Sequence, residues 1–263
     1  MDYIEMSSLM DVLYNNITSN QAPGLSEYEK SLFLTKAQDE KVKNYFNPKS
    51  NQLGEGFDGN QKRQIDFSAI TSVFTQNTAG NFTDALFDTR PNSKSTSLPE
   101  DVWMIVNERI KVKRTSEGPD KTEILTVKPI SYEEYDRLMS KPFKRPLKYQ
   151  AWRLINNSEG NKSDLIVGPN DNITEYKLRY IRKPKPIIIG DTDGITIDGY
   201  LWGGPTTPAE PEANKIYGNK VCELDPIVHE EIVQRAVELA KIAWTVTGQD
   251  NTQLELAAGQ RSE

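Results

Sequence analysis

Two side chains of this sequence could act together as a nucleophile and its base. Cys222 lies seven residues before His229, and a cysteine activated by a histidine is one route to covalent hydrolysis. The sequence has one cysteine and one histidine, which excludes an internal disulfide, a cysteine-rich metal site and a two-imidazole site. The stretch after His229 lacks the second histidine of a zinc-protease motif. We therefore expect a surface or packing histidine, with a Cys222–His229 hydrolase as an alternative.

Two further stretches match ligand-binding motifs in their letters alone. Residues 54–59 read G-x-G-x-x-G, but a polar, helix-terminating segment precedes them where a dinucleotide site needs a strand. Residues 191–198 resemble a calcium loop, with Gly194 too early and Ile195 where an oxygen ligand is needed. We interpret the first stretch as a flexible loop and the second as a hairpin turn closed by Asp193-Gly194. A weak cation site at Asp191 and Asp193 stays open, and no cofactor is expected.

Two basic, aromatic runs stand out in an otherwise acidic chain, at residues 141–149 and 179–185. They could contact phosphate, protect a sheet edge with lysine and proline, or dock onto an acidic partner surface. We favour edge protection or docking. The residues predicted to contact a partner are Lys144, Arg145, Arg179, Arg182, Lys183 and Trp202.

Composition and charge limit the class of protein. The 263 residues carry 32 basic and 38 acidic side chains, a formal net charge of −6, which argues against a general nucleic-acid binder. No apolar run approaches the roughly 18 residues of a membrane span, and the acidic start does not resemble a secretory leader. The chain is poor in apolar residues, with a mean hydropathy of −0.64. We therefore expect an elongated subunit or one that completes its burial against neighbours.

The elements that must position these residues follow a helix–sheet–helix order. Helices are predicted over residues 2–19 and 26–46, the second opened by a Ser26–Glu29 capping box, and over 63–70. The charged middle of the helix predicted over 26–46, residues 36–43, indicates a solvated face or a contact with a neighbouring subunit. Strands alternate through residues 98–189, interrupted by a helix over 131–139. Asp225 and Pro226 open a final helix whose apolar stripe comprises Ile232, Val233, Ala236, Val237, Ala240, Ala243 and Trp244.

These elements predict an α+β fold in which helices from both chain ends form a bundle beside a central antiparallel β-sandwich. We predict an N-terminal helical part over residues 1–97 and a β-sandwich over 98–222 with a long loop at 190–222. A C-terminal helix over 223–247 then packs with the helical part, and residues 248–263 form a polar tail. A loop of that length is uncommon inside a compact domain unless it has a function or is mobile.

Several segments resemble the head–tail connector proteins, also called adaptor or ring proteins, of short-tailed bacteriophages, and most closely those of the crAss-like group. The resembling segments include LPEDV, which begins at Leu98, RYIRKP, which begins at Arg179, and the final helix. Together with residues 22–42, 87–108, 127–154, 176–189 and 222–240, they cover most of residues 1–247.

The resemblance implies a structural virion protein, assembled in the cytoplasm of the bacterial host. Such subunits form a homo-oligomeric ring, usually of twelve copies, between the portal and the other tail or ring proteins. DNA passes through the channel transiently, without specific contacts, and an acidic lumen would let it slide. The family implies no catalytic residue, cofactor or membrane contact.

An alternative comes from another class of protein. A β-sandwich that binds carbohydrate or recognises a surface would use exposed aromatic side chains of the long loop, and Tyr200 and Trp202 are suitable residues. A hydrolytic enzyme that depends on His229 is the third hypothesis.

Overall fold

The structure is a computed structural model, and it describes residues 1–15, 24–47, 61–77, 82–88, 90–114, 121–144, 146, 149–156, 161–190, 192–218 and 222–246. The chain divides into two compact units. One combines both chain ends, Met1–Ile70 and Pro184–Glu263, and is called the terminal unit. The other, the sheet unit, is Thr71–Lys183. No described helix is both long enough and apolar enough to cross a bilayer.

The helices and strands occupy the following residues. In the terminal unit they are α1 Tyr3–Asn15, α2 Glu27–Phe46, α3 Gln61–Asp66, β9 Leu201–Gly204, β10 Lys215–Tyr217 and α5 Pro226–Val246. In the sheet unit they are β1 Thr71–Asn77, β2 Thr83–Asp84, β3 Lys94–Ser97, β4 Val102–Arg114, β5 Thr122–Pro129, α4 Tyr132–Met139, β6 Gln150–Asn156, β7 Lys162–Ile166 and β8 Asp171–Arg182. The predicted α+β fold with helices at both ends is confirmed.

The unit boundaries differ from the predicted divisions at residues 97 and 222. Three strands form between Thr71 and Ser97 and belong to the sheet unit. From Pro184 the chain returns to the terminal unit, where its backbone bonds to side chains of α2. The amide of Ile187 donates to Thr35 Oγ1 at 3.1 Å, and that of Ile189 donates to Ser31 Oγ at 2.8 Å. Hydroxyls on a helix thus satisfy backbone groups that a sheet neighbour would otherwise satisfy, and residues 187–189 form no strand.

Local sequence signals set the helix starts. The capping box before α2 is confirmed, because Ser26 Oγ accepts from the amide of Glu29 and Glu29 Oε2 accepts from the amide of Ser26. Asp225 Oδ1 accepts from the amide of Ile227 at 3.0 Å, and Pro226 is the first residue of α5, as predicted. The helix predicted over 2–19 is described to Asn15, and its remaining residues lie outside the described chain.

The apolar stripe of α5 lies in the core of the terminal unit. The side chains from Ile232 to Ala240 that the pattern selected are at most 3% exposed, whereas Ala243 is exposed. The charged middle of α2 serves contacts within the chain. The guanidinium of Arg235 on α5 donates two hydrogen bonds to the carboxylate of Glu40, at 2.8 and 2.9 Å. Lys41 forms an ion pair with Glu231. Part of the helix surface that the sequence assigned to solvent or a neighbour is therefore occupied by α5.

The eight strands of the sheet unit form one hydrogen-bonded sheet in the order β1-β8-β4-β5-β6-β7-β3-β2. The prediction was an antiparallel sandwich, and the β5/β6 pair is parallel. The helix between these strands, α4, explains the difference, because a parallel pair needs a crossover connection, usually a helix. Ser131 caps α4 by accepting from the amide of Glu134 at 3.2 Å.

The sheet curls around one apolar cluster, and a second cluster with Tyr135 of α4 packs on residues of β6 and β7. Buried side chains from β4, β5, β6, β7 and β8 belong to one cluster, and Phe74 of β1 packs against it. The hydroxyl of Thr96 on β3 bonds to Gln76 Oε1 on β1, although these strands lie at opposite ends of the sheet order. One continuous sheet therefore encloses its core between layers, as a sandwich does.

A buried polar group of three side chains links β4, β6 and β8 inside this core. Arg153 Nε donates to Glu108 Oε2 at 2.9 Å, and the Tyr176 hydroxyl donates to Glu108 Oε1 at 2.6 Å. Burial raises the pKa of Glu108, against the opposing effect of the Arg153 charge. All three side chains are buried, and breaking the group would leave a charge without its partner inside the sheet.

The segment predicted as a long loop at 190–222 contains short regular elements. Strands β9 and β10 pair in parallel, and the predicted Asp193-Gly194 turn is present with positive φ at both residues, 55° and 74°. The amide of Ile195 donates to the carbonyl of Thr192 across it at 3.0 Å. A second tight turn, at Asp198-Gly199, joins Ile197 to Tyr200 by two backbone bonds of 2.9 Å. Both are mirror-image turns that Asp-Gly pairs favour.

The burial of α5 predicts the effect of a charge on its inner face. In Ala240→Asp a carboxylate replaces a methyl group that is 2% exposed, so the free energy of unfolding should fall by about 3 kcal/mol. Urea denaturation followed by circular dichroism measures this. Gln234→Asp, on the exposed side of the same helix, is the control and should change stability by less than about 0.5 kcal/mol. Equal effects of the two variants would contradict the packing of α5.

Candidate functional site

The two side chains suggested for covalent catalysis are both buried packing groups. The amine of Met1 lies 3.2 Å from His229 Nδ1, and the carbonyl of Leu224 lies 2.9 Å from Nε2. Because an ammonium can only donate and a carbonyl can only accept, these contacts fit a neutral ring protonated at Nε2. Cys222 Sγ contacts Gln38 Oε1 at 3.3 Å, and burial raises the pKa of its thiol to about 12. A protonated thiol away from solvent is a poor nucleophile, so the geometry does not support the hydrolase hypothesis.

The other motifs add no ligand site within the described chain. Residues 54–59 and Asp191 lie outside it, and Asp193 sits in the tight turn. Among the residues that the structure describes, no group of three His, Cys, Asp or Glu side chains could hold a metal ion.

The aromatic residues proposed for carbohydrate recognition pack within the terminal unit. Tyr200 and Trp202 lie against a cluster formed by Ile188, Ile197 and Ile216. The Trp202 ring is 5.2 Å from the ring of Tyr3. Both side chains are half-buried, whereas that alternative needs exposed rings. The packing role explains why aromatic residues occur in this segment.

The basic run at residues 179–185 does not protect a sheet edge. Arg179 and Arg182 lie on β8, which pairs with β1 on one side and β4 on the other. That interpretation is therefore wrong for this run. Strand alternation places Arg179 and Arg182 on opposite faces of the sheet, and exposed Lys183 ends the sheet unit. The predicted partner-contact residues of this run are not on one surface.

The run at residues 141–149 presents an exposed aromatic side chain. Lys144 ends the 3₁₀ turn Pro142–Lys144, and Arg145 lies outside the described residues. Between two exposed lysines, Lys141 and Lys144, the side chain of Phe143 is 97% exposed. A fully exposed phenylalanine gains nothing from the fold of its own chain. Exposed aromatic side chains are typical of protein–protein contacts.

The sheet presents a larger basic surface, which shares only Arg179 with the predicted partner-contact residues. On β4 the exposed residues Arg109, Lys111 and Lys113 alternate with buried Ile110 and Val112. On β8, exposed Lys177 and half-buried Arg179 alternate with buried residues. We call the five outward cations the basic face; they are Arg109, Lys111, Lys113, Lys177 and Arg179.

The register places these cations side by side. Arg109 lies directly opposite Lys177, and Lys111 lies opposite Glu175. Facing residues on neighbouring antiparallel strands have Cβ atoms about 5 Å apart, and alternate residues along a strand are about 6.7 Å apart. Glu175 pairs with Lys177 at 2.9 Å and lies among these cations, whereas Glu108 and Asp171 of the same two strands are buried. Like charges directly opposite one another destabilise a sheet, so the fold alone gives no reason for this arrangement.

Two exposed apolar side chains border the basic face. Val73 on β1 lies opposite Arg179, and Ile124 on β5 lies opposite Lys111. They are 66% and 65% exposed. The signal that could have found this surface was the alternation of basic and β-branched residues in β4. That alternation predicts the strand and, by the same rule, places its basic side chains on one outward face.

Comparisons with known proteins agree on one family. Residues 1–252 match the family model described as phage tail ring protein 3/4. The protein named Ring protein 4/5 of Bacteroides phage crAss001 is 46% identical over 268 aligned residues, covering 100% of both chains. Ring protein 3 of the same phage is 30% identical over 242 residues, covering 92% of this chain and 95% of that one.

The buried state of Cys222 predicts slow alkylation. With a pKa of about 12, the thiolate fraction at pH 8 is roughly a thousandfold lower than for an ordinary thiol near 8.5. Iodoacetamide should therefore label the native chain at least that much more slowly than the chain in urea. Because the folded pKa is raised, native labelling should continue to increase about tenfold per pH unit between pH 8 and 10.

The matched control is a second thiol in the same sample, introduced at the exposed position 36 of α2 by Lys36→Cys. Mass spectrometry of peptides separates the two positions. Similar native rates at positions 36 and 222 would contradict both the burial and the raised pKa.

Proposed function

The chain belongs to the phage tail ring protein 3/4 family of crAss-like phages, and on that basis we propose that it is a subunit of an oligomeric ring in the phage connector. In this proposal the ring lies between the portal and the other tail or ring proteins, with DNA passing through its channel. About twelve copies close the ring by cyclic symmetry. The subunits assemble in the host cytoplasm before they enter the virion. The observation that carries the proposal is the full-length match to Ring protein 4/5 at 46% identity.

The surface chemistry of the subunit supports a structural role. The side chains with the best catalytic potential are buried, whereas Phe143 and the basic face are exposed. Closed rings use heterologous contacts, in which two different patches of each subunit meet. Permanent interfaces of this kind bury roughly 2,000–5,000 Å². A chain poor in apolar residues, with aromatic and charged groups displayed outward, suits that kind of assembly.

Charge also supports free passage of DNA. The chain has a net charge of −6, and a protein binds the phosphate backbone mainly through basic side chains. A channel wall formed from the acidic part of the surface would repel phosphate and let DNA slide. In this proposal the basic side chains lie away from the channel, in contacts with protein.

The copy number in the virion tests the proposal. Quantitative mass spectrometry of purified particles should give about twelve copies of this chain for each portal ring. Electron cryo-microscopy of the same particles should place them as a ring next to the portal. Absence of the chain from particles, or an arrangement other than a ring, would overturn the proposed function.

A single side chain tests the exposed run at residues 141–149. Phe143→Ala should leave the free energy of unfolding within about 0.5 kcal/mol of wild type, because the ring is 97% exposed. If Phe143 is a central contact with a partner, its loss should reduce incorporation into particles at least about tenfold. Phage grown on cells that express a tagged copy allows measurement of the tagged fraction in purified particles.

Ile195→Ala is the control for this test, since Ile195 is also an exposed apolar residue, at 47%, and lies outside that run. It should be incorporated like the wild-type tagged copy. Equal incorporation of the Phe143 and Ile195 variants would show that Phe143 does not contact a partner.

A further inference from the structure

The charge of this chain is divided unequally between its two units. The terminal unit has 13 basic and 23 acidic residues, a formal charge of −10. The sheet unit has 19 basic and 15 acidic residues, a formal charge of +4. The overall value of −6 therefore hides two units of opposite sign. Opposite potentials on two surfaces of one protein favour contacts between copies of it.

The excess positive charge of the sheet unit equals the charge of the basic face. Its five cations and Glu175 sum to +4, which is the net charge of the whole unit. The remaining charges of the sheet unit cancel. One side of β4 and β8 therefore carries a net charge of +4, because alternation directs these side chains away from the core.

We propose that the basic face docks onto the acidic terminal unit of a second copy of this chain. The contact rests on the proposed ring function and specifies how neighbouring subunits recognise each other. It is heterologous, because the sheet unit of one copy meets the terminal unit of the next, which is the kind of contact that closes a ring. Several terminal-unit carboxylates are exposed, among them Glu27, Glu210 and Glu230.

The border of the basic face favours a protein as its partner over nucleic acid. Val73 and Ile124 flank the cations and are about two-thirds exposed. A phosphate backbone gives these side chains no apolar surface to cover them, whereas a protein interface buries both charged and apolar groups. The carboxylate of Glu175 among the cations also opposes phosphate and is compatible with a mixed protein surface.

Zero-length crosslinking of intact virions tests the contact directly. A carbodiimide condenses a lysine amine with a carboxylate that touches it, forming an amide bond and releasing the carboxyl oxygen as the urea by-product of the reagent. We expect crosslinks from Lys111, Lys113 and Lys177 to carboxylates of the terminal unit, identified by mass spectrometry of the peptides. The same crosslinks should be absent from the purified monomeric chain, which shows that they join two copies.

Each result decides the inference. Crosslinks from these lysines to a different virion protein overturn the assignment of the partner, and so does the absence of any crosslink to a carboxylate, as expected if the face bound DNA. Crosslinks that also occur in the monomer overturn it as well. If the chain forms a ring and these lysines crosslink elsewhere, this inference alone fails. If the chain is absent from particles, the proposed function fails.

Charge reversal provides a second measurement with a matched control. The double variant Lys111→Glu/Lys113→Glu should lower the tagged fraction in particles at least about tenfold, because like charges would then face each other across the contact. Lys121→Glu/Arg137→Glu makes the same change in net charge on exposed positions of the sheet unit outside the basic face and should be incorporated normally. Circular dichroism should show that both variants fold. Equal incorporation of the two folded variants overturns the inference.

Discussion

The two-residue alternation of β4 and β8 is the constraint on which the sheet unit depends. These are the longest strands, of 13 and 12 residues, and they pair with each other along almost their full length. One set of positions supplies Ile110, Val112, Tyr176 and Leu178 to the core, while the other set carries the cations to solvent. A shift of one residue in either strand would bury charges and expose the core. The same geometric rule therefore holds the fold together and displays the basic face.

The buried trio of Glu108, Arg153 and Tyr176 strengthens this register. Each side chain comes from a different strand, and each bond is satisfied only when β4, β6 and β8 are aligned as they are. Such groups contribute modestly to net stability, because burying charge is costly. Their cost when misaligned is large, since a buried charge would lose its partner. The trio thus serves to select one arrangement of the strands.

The terminal unit is built from two segments that are far apart in the sequence, Met1–Ile70 and Pro184–Glu263. Helices α2 and α5 pack through apolar stripes and carry ion pairs between Glu40 and Arg235 and between Lys41 and Glu231. The returning segment at residues 187–189 is held by hydroxyls of α2. Many polar side chains of this unit therefore form ion pairs and hydrogen bonds within the chain. What stays outward is strongly acidic in the terminal unit and basic on one face of the sheet unit, which suits a protein that assembles with others.

The sequence by itself determined the elements whose signals are local. The capping box at Ser26, the start of α5 at Asp225-Pro226, the alternation of β4 and the Asp193-Gly194 turn each depend on neighbouring residues, so they were predictable. The family followed from segments of sequence that resemble ring proteins. Only the tertiary structure decided the parallel β5/β6 pair, the division of the chain at Ile70 and Lys183, the packing of half-buried Trp202, and the burial of Cys222 and His229. The tertiary structure also decided which cations share a surface. Arg179 lies on the same face as Lys177, opposite Asn107, whereas Arg182 lies on the other face. The physical reason is that strand pairing and burial arise between residues far apart in the chain, and no local pattern records which distant partner a residue meets.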